Sequence, residues 1–343
     1  MHSIQTSVNL NAVVRMAAAV VVMSCGAGAG TVSWGQVGAE SVTSYPNRPI
    51  RLITQFPPGS ATDIVARVVG QKLTETWGYQ VVVDNRTGAG GRIGTELGAR
   101  ATPDGYTLTM SVAGPMSVAP ALYPKLAYDV LRDFAPITNL VTQAQVLLAN
   151  PVIPVRTLAD MVELARSRPA ALNYASIGPG SFTHLAMELL QSVTKTRLNH
   201  IPFKAGALAH GDLISGQVQL MVDSLPSALS LIQTGKVRGI AVTSLERQKF
   251  APGLPTVAES GYPGFEAIGW LGVVAPAKTP TPILDKLNRE LVRVADSPDT
   301  QERFNVQAFN TRLIPRARYA EFIRAEIDKW RRVVKEAGLK FEE

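Results

Sequence analysis

Two stretches hold the residues best suited to binding chemistry. The first is Pro58-Gly59-Ser60-Ala61-Thr62-Asp63; the second is Gly178-Pro179-Gly180-Ser181, followed by Phe182-Thr183-His184. Each sets a serine after a glycine and directly before a segment with helical apolar spacing, where a helix N-cap belongs. The first amides of a helix have no partner inside it and the helix dipole adds positive potential, so such a start holds an anion. Gly59, Ser60, Ala61 and Thr62 are therefore candidate anion contacts, with Ser176, Gly180 and Ser181 as counterparts in the second half. Asp63 completes a capping-box pattern with Ser60. An acid repels an anionic ligand, so capping is its first reading and contact with a ligand amino or hydroxyl group its second. Gly90 and Gly91 offer close backbone approach to a ligand, with a plain turn as the alternative. His184, one helical turn past Ser181, reads as a buried, satisfied histidine or as a ligand contact. Asp223, at a strand end, faces ligand or a hinge amide.

Enzymatic readings of the same residues are weaker. Ser181, His184 and Asp223 are the residue types of a secreted, cofactor-independent hydrolase or esterase, but the chain has no G-x-S-x-G elbow. Gly88-Ala89-Gly90 with Gly94 resembles a dinucleotide fingerprint, yet its spacing is GxGxxxG and Asp104 precedes the next strand instead of ending it. His200 and His210 lack metal-ligand spacing with any Asp, Glu or Cys. The expectation is a binding protein, not an enzyme, with no cofactor and no metal.

The elements that position these residues alternate strand and helix from Tyr45 onward, the pattern of α/β architecture with a mainly parallel sheet. Strands are expected near residues 49–55, 80–84 and 106–111, then 172–176, 200–203, 218–222 and 238–243. Helices follow the Ser60 and Gly88–Gly91 loops, and a Thr157/Asp160 capping box opens another at 161–167. Two long stretches without helical period, 134–150 and 264–275, read as crossovers between two lobes. That organisation gives domain 1 as residues 45–143 and 270–343 and domain 2 as 144–269, with a ligand cleft between them. In the last helix, Tyr319, Phe322, Ile323, Ile327, Trp330 and Val334 form a packing face, and Trp270 packs or walls the cleft.

Composition bounds the partners. A chain of 343 residues with 46% hydrophobic and 18% charged residues makes about two well-buried domains. The net charge of +7 favours anionic partners, but Lys and Arg are scattered and no basic run is interleaved with aromatics, which argues against nucleic acid. Arg15, the apolar run 16–23 and the small residues to Ala39 describe a secretory signal over residues 1–39, hence a periplasmic protein. Cys25 is the single cysteine, so an internal disulfide is excluded, and lipid anchoring there is the lesser alternative to ordinary cleavage.

Many short segments in one order resemble the extracytoplasmic receptors of tripartite tricarboxylate transporters, the Bug family. They include Pro58–Asp63, Asn85-Arg86-Thr87-Gly88-Ala89-Gly90-Gly91, Thr102-Pro103-Asp104-Gly105, Gly178–Ser181 with His184-Leu185-Ala186, and Ile201-Pro202-Phe203-Lys204. Gly216-Gln217-Val218-Gln219, Pro255-Thr256-Val257-Ala258-Glu259-Ser260-Gly261 and Pro276-Ala277-Lys278-Thr279-Pro280 continue the match. The resemblance implies a two-lobed periplasmic-binding-protein fold of type II kind. Such a monomer closes on a small organic acid held by amides and hydroxyls, partly through water, and then docks on a membrane permease. Ser60 stands where a second glycine is common, Met116 and Ala119 replace more polar residues, and Ala205-Gly206 replaces a frequent Gly-Gly. These departures point away from citrate and toward a mono- or dicarboxylate, aromatic acids and amino acids included.

Overall fold

The computed structural model describes residues 44–339; the signal-sequence and Cys25 readings lie outside them. The chain runs β1 (Ile50–Thr54), α1 (Ala61–Trp77), β2 (Val81–Asn85), α2 (Arg92–Ala99), β3 (Thr107–Val112), α3 (Ala119–Leu122), α4 (Val130–Asp133) and β4 (Phe134–Ala149). It continues α5 (Leu158–Ser167), β5 (Asn173–Ser176), α6 (Phe182–Thr194), β6 (Asn199–Pro202), α7 (Gly206–Ser215), β7 (Leu220–Ser224), α8 (Leu225–Gln233) and β8 (Arg238–Val242). The chain then adds β9 (Ile268–Pro276), α9 (Thr281–Ala295), α10 (Pro298–Val306), β10 (Asn310–Ile314) and α11 (Arg316–Glu336).

Each lobe is built on three parallel strands, β2-β1-β3 in the first and β7-β5-β6 in the second. The connecting strand β9 runs antiparallel to β3, and β4 runs antiparallel to β9 and to β7, so each lobe's sheet is mixed where a connecting strand joins it. At about 3.3 Å per residue, the 16 residues of β4 extend for roughly 50 Å, enough to serve both sheets. Residues 134–144 pair with β9, and 145–149 pair with β7 and β8. Beyond the crossing, side-chain alternation divides β4 between two cores: Val146 and Leu148 face one cluster, Leu147 and Ala149 the other.

The first lobe's core places Leu52 and Leu108 of the sheet against Val65, Val69 and Leu73 of α1 and Leu284, Leu287 and Leu291 of α9. α11 joins the two lobes. Its Tyr319, Ile323 and Ile327 pack with Met116, Phe134 and Trp270, while Trp330 and Val333 join Leu185 and Ala186 of α6. Trp270 is buried, and its indole donates to Glu326 Oε2 at 3.2 Å. The structure adds α7, α8, α10 and β10, which apolar spacing does not reveal. Pro226 and Pro298 sit in the first turns of α8 and α10, where a missing N–H costs nothing, so residues that look like breakers are helix starts. After β3 the chain makes a largely buried π-type turn, Gly114–Val118, running into α3.

Candidate functional site

The two serine loops fold into one device, built once in each lobe. Ser60 caps α1 with φ −69° and ψ 160°, and Ser181 caps α6 with φ −68° and ψ 161°. Each Oγ accepts the amide three residues on, Asp63 N and His184 N, at 3.3 Å. In each, the third helical side chain reaches back past the serine to the glycine amide. Asp63 Oδ2 accepts from Gly59 N at 2.9 Å, and His184 Nδ1 accepts from Gly180 N at 3.0 Å. The Ser60–Asp63 capping box therefore closes one residue earlier than its pattern predicts. Gly59 at φ 82° and Gly180 at φ 72° supply the left-handed turn that this arrangement requires. The amides of Ala61 and Thr62, and of Phe182 and Thr183, have no hydrogen-bond acceptor among the described residues. Two N-terminal turns thus carry free donors and a positive dipole end, the provision an anion needs.

What lies beneath the two devices differs. Asp63 is 2% exposed and also accepts from Arg67 Nε at 2.8 Å and Asn85 Nδ2 at 2.9 Å. Burial pushes its carboxyl up, but the bonds from Arg67, Gly59 and Asn85 prevail and hold it below the usual carboxylate range. Its oxygens are committed to the protein. Thr62 is buried as well, which leaves its hydroxyl little access to solvent. In the second lobe His184 is stacked on His200, ring centroids 4.1 Å apart and planes 9° apart, with Tyr174 beyond His200 at 4.9 Å. Burial, and then the neighbouring His200, push His184 down to about 4, and burial lowers His200 too, so both rings are neutral near pH 7. Ser176 is fully buried; its Oγ lies 2.7 Å from His200 Nε2 and 3.1 Å from both N and O of Gly178. It shapes the loop from below.

The remaining candidates lie apart from these capping turns. Gly90, at φ 64°, has open space where a Cβ would sit. Gly91 is buried, and a Cβ there would meet Gln55 at 3.1 Å and Phe56 and Pro115 at 3.3 Å. It lets three first-lobe loops touch. The third of these is the Gly114–Val118 turn, in which Met116 is fully buried, as Ala119 nearly is just after it, so neither lines a pocket wall. Phe182, the first residue of α6, packs against the cluster containing Met116 and lies 5.3 Å from Trp330, which brings the second lobe's loop against the first lobe. Asp223 is 2.7 Å from His210 Nε2, and His184 Nδ1 is on Gly180, so Ser181, His184 and Asp223 do not form a hydrolase relay. Of the fingerprint glycines, Gly94 is explained by packing, because a Cβ there would lie 2.6 Å from Arg86 O; farther along α2, one at Gly98 would lie 2.0 Å from Thr109 Oγ1. A surface hollow of about 460 Å³ is lined by Val162, Glu163, Arg166 and Tyr262, none of them in these loops. No cluster of three or more metal-ligating side chains occurs among the described residues.

Sequence spacing does not single out Asn85, Arg67 or His200. The parallel registers Thr54↔Asn85 and Tyr174↔His200 place Asn85 and His200 beside the loops, and Arg67 meets Asp63 one helical turn along α1.

Comparison with known proteins extends this picture. The family profile described as "Tripartite tricarboxylate transporter family receptor" matches residues 65–339. The chain is 37% identical over 301 residues to Protein BugT of Bordetella pertussis, covering 88% of this chain and 92% of that protein. An R. palustris protein solved with adipate superposes with a TM-score of 0.77 at 32% identity, covering 86% of this chain and 99% of the other. MatC of Rhodopseudomonas palustris, solved with bound malate, gives 0.73 at 32% identity, covering 84% and 100%.

Proposed function

The chain belongs to the tripartite tricarboxylate transporter receptor family, and from that premise we propose that it is a periplasmic receptor that captures a small organic carboxylate between its lobes and hands it to a membrane permease. The observation that carries this reading is the duplicated Gly-Ser capping turn, with two free amides at each helix start. Gly59, Ser60, Ala61 and Thr62 from one lobe and Gly180 and Ser181 from the other are the proposed contacts, with Gly90 and Gly91 at the margin. Asp63, Ser176 and His184 support these loops from beneath. Neutral donors suit a receptor that must release its cargo, whereas a bidentate arginine clamp holds harder. Relatives solved with adipate and malate support a dicarboxylate among the candidate ligands. The lobes are proposed as 45–143 with 270–343 and 144–269, closing about β4 and β9. No helix among the described residues is long and apolar enough to cross a membrane.

A thermal-shift screen tests the proposal, with adipate, malate, citrate, acidic amino acids, nicotinate and NAD as the panel. A ligand at a hundred times its Kd stabilises by about 2.7 kcal/mol, a shift on the order of 2 °C or more for a chain of this size. One acid that raises the midpoint and is recovered unchanged supports the receptor reading. Silence across the acids with a response to NAD, or consumption of a compound, refutes it.

A further inference from the structure

The reach-back residue is where the two capping turns part company chemically. In the first lobe it is a carboxylate, held ionised by Arg67, Gly59 and Asn85. In the second it is an imidazole whose Nδ1 accepts the Gly180 N–H at 3.0 Å, so its single proton sits on Nε2. A second proton has one place to go, Nδ1. There it would point at the Gly180 N–H, and two donors cannot share a hydrogen bond. We propose that His184 is a positioning residue that holds the 178–181 loop in its ligand-binding shape only while its ring is neutral, with the stacked His200 helping to keep it so.

The surroundings leave few other controls on that ring. On α6 itself, Glu188 Oε1 lies 3.8 Å from His184 Nε2 and is shared with the Tyr174 hydroxyl from β5 and with Gln191 Nε2 at 2.8 Å. From β6, His200 covers the imidazole face and bonds Ser176, which in turn bonds both N and O of Gly178. From β7, Asp223 is taken up by His210 of α7 at 2.7 Å. Thr183 Oγ1 receives Ile177 N at 3.2 Å and lies 3.1 Å from Ser181 Oγ. Every residue from Ser176 to Ser181 except Pro179 is thus tied directly into this network. Two imidazoliums stacked at 4.1 Å repel, so the pair takes a first proton far more readily than a second. The first lobe lacks such a step, because its reach-back group stays charged through the same pH range. Acidification therefore loosens one lobe's loop and leaves the other's in place.

The inference rests on the reading that this loop holds ligand, but its test uses none, so failure of the ligand screen and failure here are separate results. The full chain is labelled with [15N]glycine and with 13C in the histidine rings, and the amides of Gly59 and Gly180 are followed by NMR as pH falls from neutrality. Gly180 is expected to shift with the same midpoint as the His184 ring while Gly59 stays put. His184→Asn supplies a non-titrating oxygen, as Asp63 supplies an oxygen in the first lobe, and is expected to abolish the Gly180 response. A Gly180 amide that stays fixed while His184 titrates overturns the proposal, as does one that moves together with Gly59, or moves equally in His184→Asn.

Discussion

Replacing Gly98 with alanine tests whether the glycines after the 88–91 loop serve packing. An added Cβ would stand 2.0 Å from Thr109 Oγ1 and 3.0 Å from Thr109 Cβ. Thr109 is fully buried in β3, and neither it nor the last turn of α2 can step aside without moving backbone. Overpacking of this kind costs about 1–3 kcal/mol, and the alanine returns up to about 1 kcal/mol through its better helix propensity. With an overlap this deep the upper half of the range applies, so Gly98→Ala should destabilise by about 2 kcal/mol, read as a drop in Tm. Thr109→Ala removes the colliding hydroxyl, which has no hydrogen-bond partner among the described residues. Alone it should cost about 1 kcal/mol for the lost methyl. In the double variant most of the Gly98→Ala penalty should vanish, a favourable coupling of about 1–2 kcal/mol. Additive costs, or a Gly98→Ala penalty below about 0.5 kcal/mol, would show that helix and strand do not meet there and would refute the packing account of Gly98.

Three further outcomes follow from the same geometry. His184 has its folded value depressed to about 4, so above its ordinary value of about 6.5 it adds no pH dependence. Between there and about 4 the unfolded chain binds a proton that the folded one refuses, and stability should fall by about 3 kcal/mol as pH drops through that window. Melts of wild type and His184→Asn across the range check this; equal pH slopes would refute it. Ser60→Leu should cost about 1 kcal/mol through the lost cap and abolish acid binding while circular dichroism is unchanged; wild-type affinity would remove this loop from the site. Small-angle scattering should show a smaller radius of gyration at saturating ligand, with each lobe moving as a body about β4 and β9; an unchanged radius would exclude closure.

Much of this protein is local and therefore legible in its sequence. Serine after glycine before an apolar-periodic run specifies a capped helix whatever surrounds it, and both such caps form in the structure. The 134–150 stretch reads as extended because its apolar residues lack a helical period, and it forms β4. Family membership rests on the same kind of short-range pattern, repeated along the chain. Other features depend on register and contact across long separations. That Asp63 is also spent on Asn85, that Ser176 meets His200 beneath the loop, and that His200 stacks on His184 all follow from which strand lies beside which. A one-residue slip in either parallel pair would turn those side chains to the opposite face of the sheet. Gly94 looks like part of a nucleotide motif until the sheet beneath α2 is in place, because spacing along a helix records which residues share a face but not what that face meets. The sequence alone specified where anion-binding turns would form; the tertiary structure alone decided which side chains hold them and with what charge.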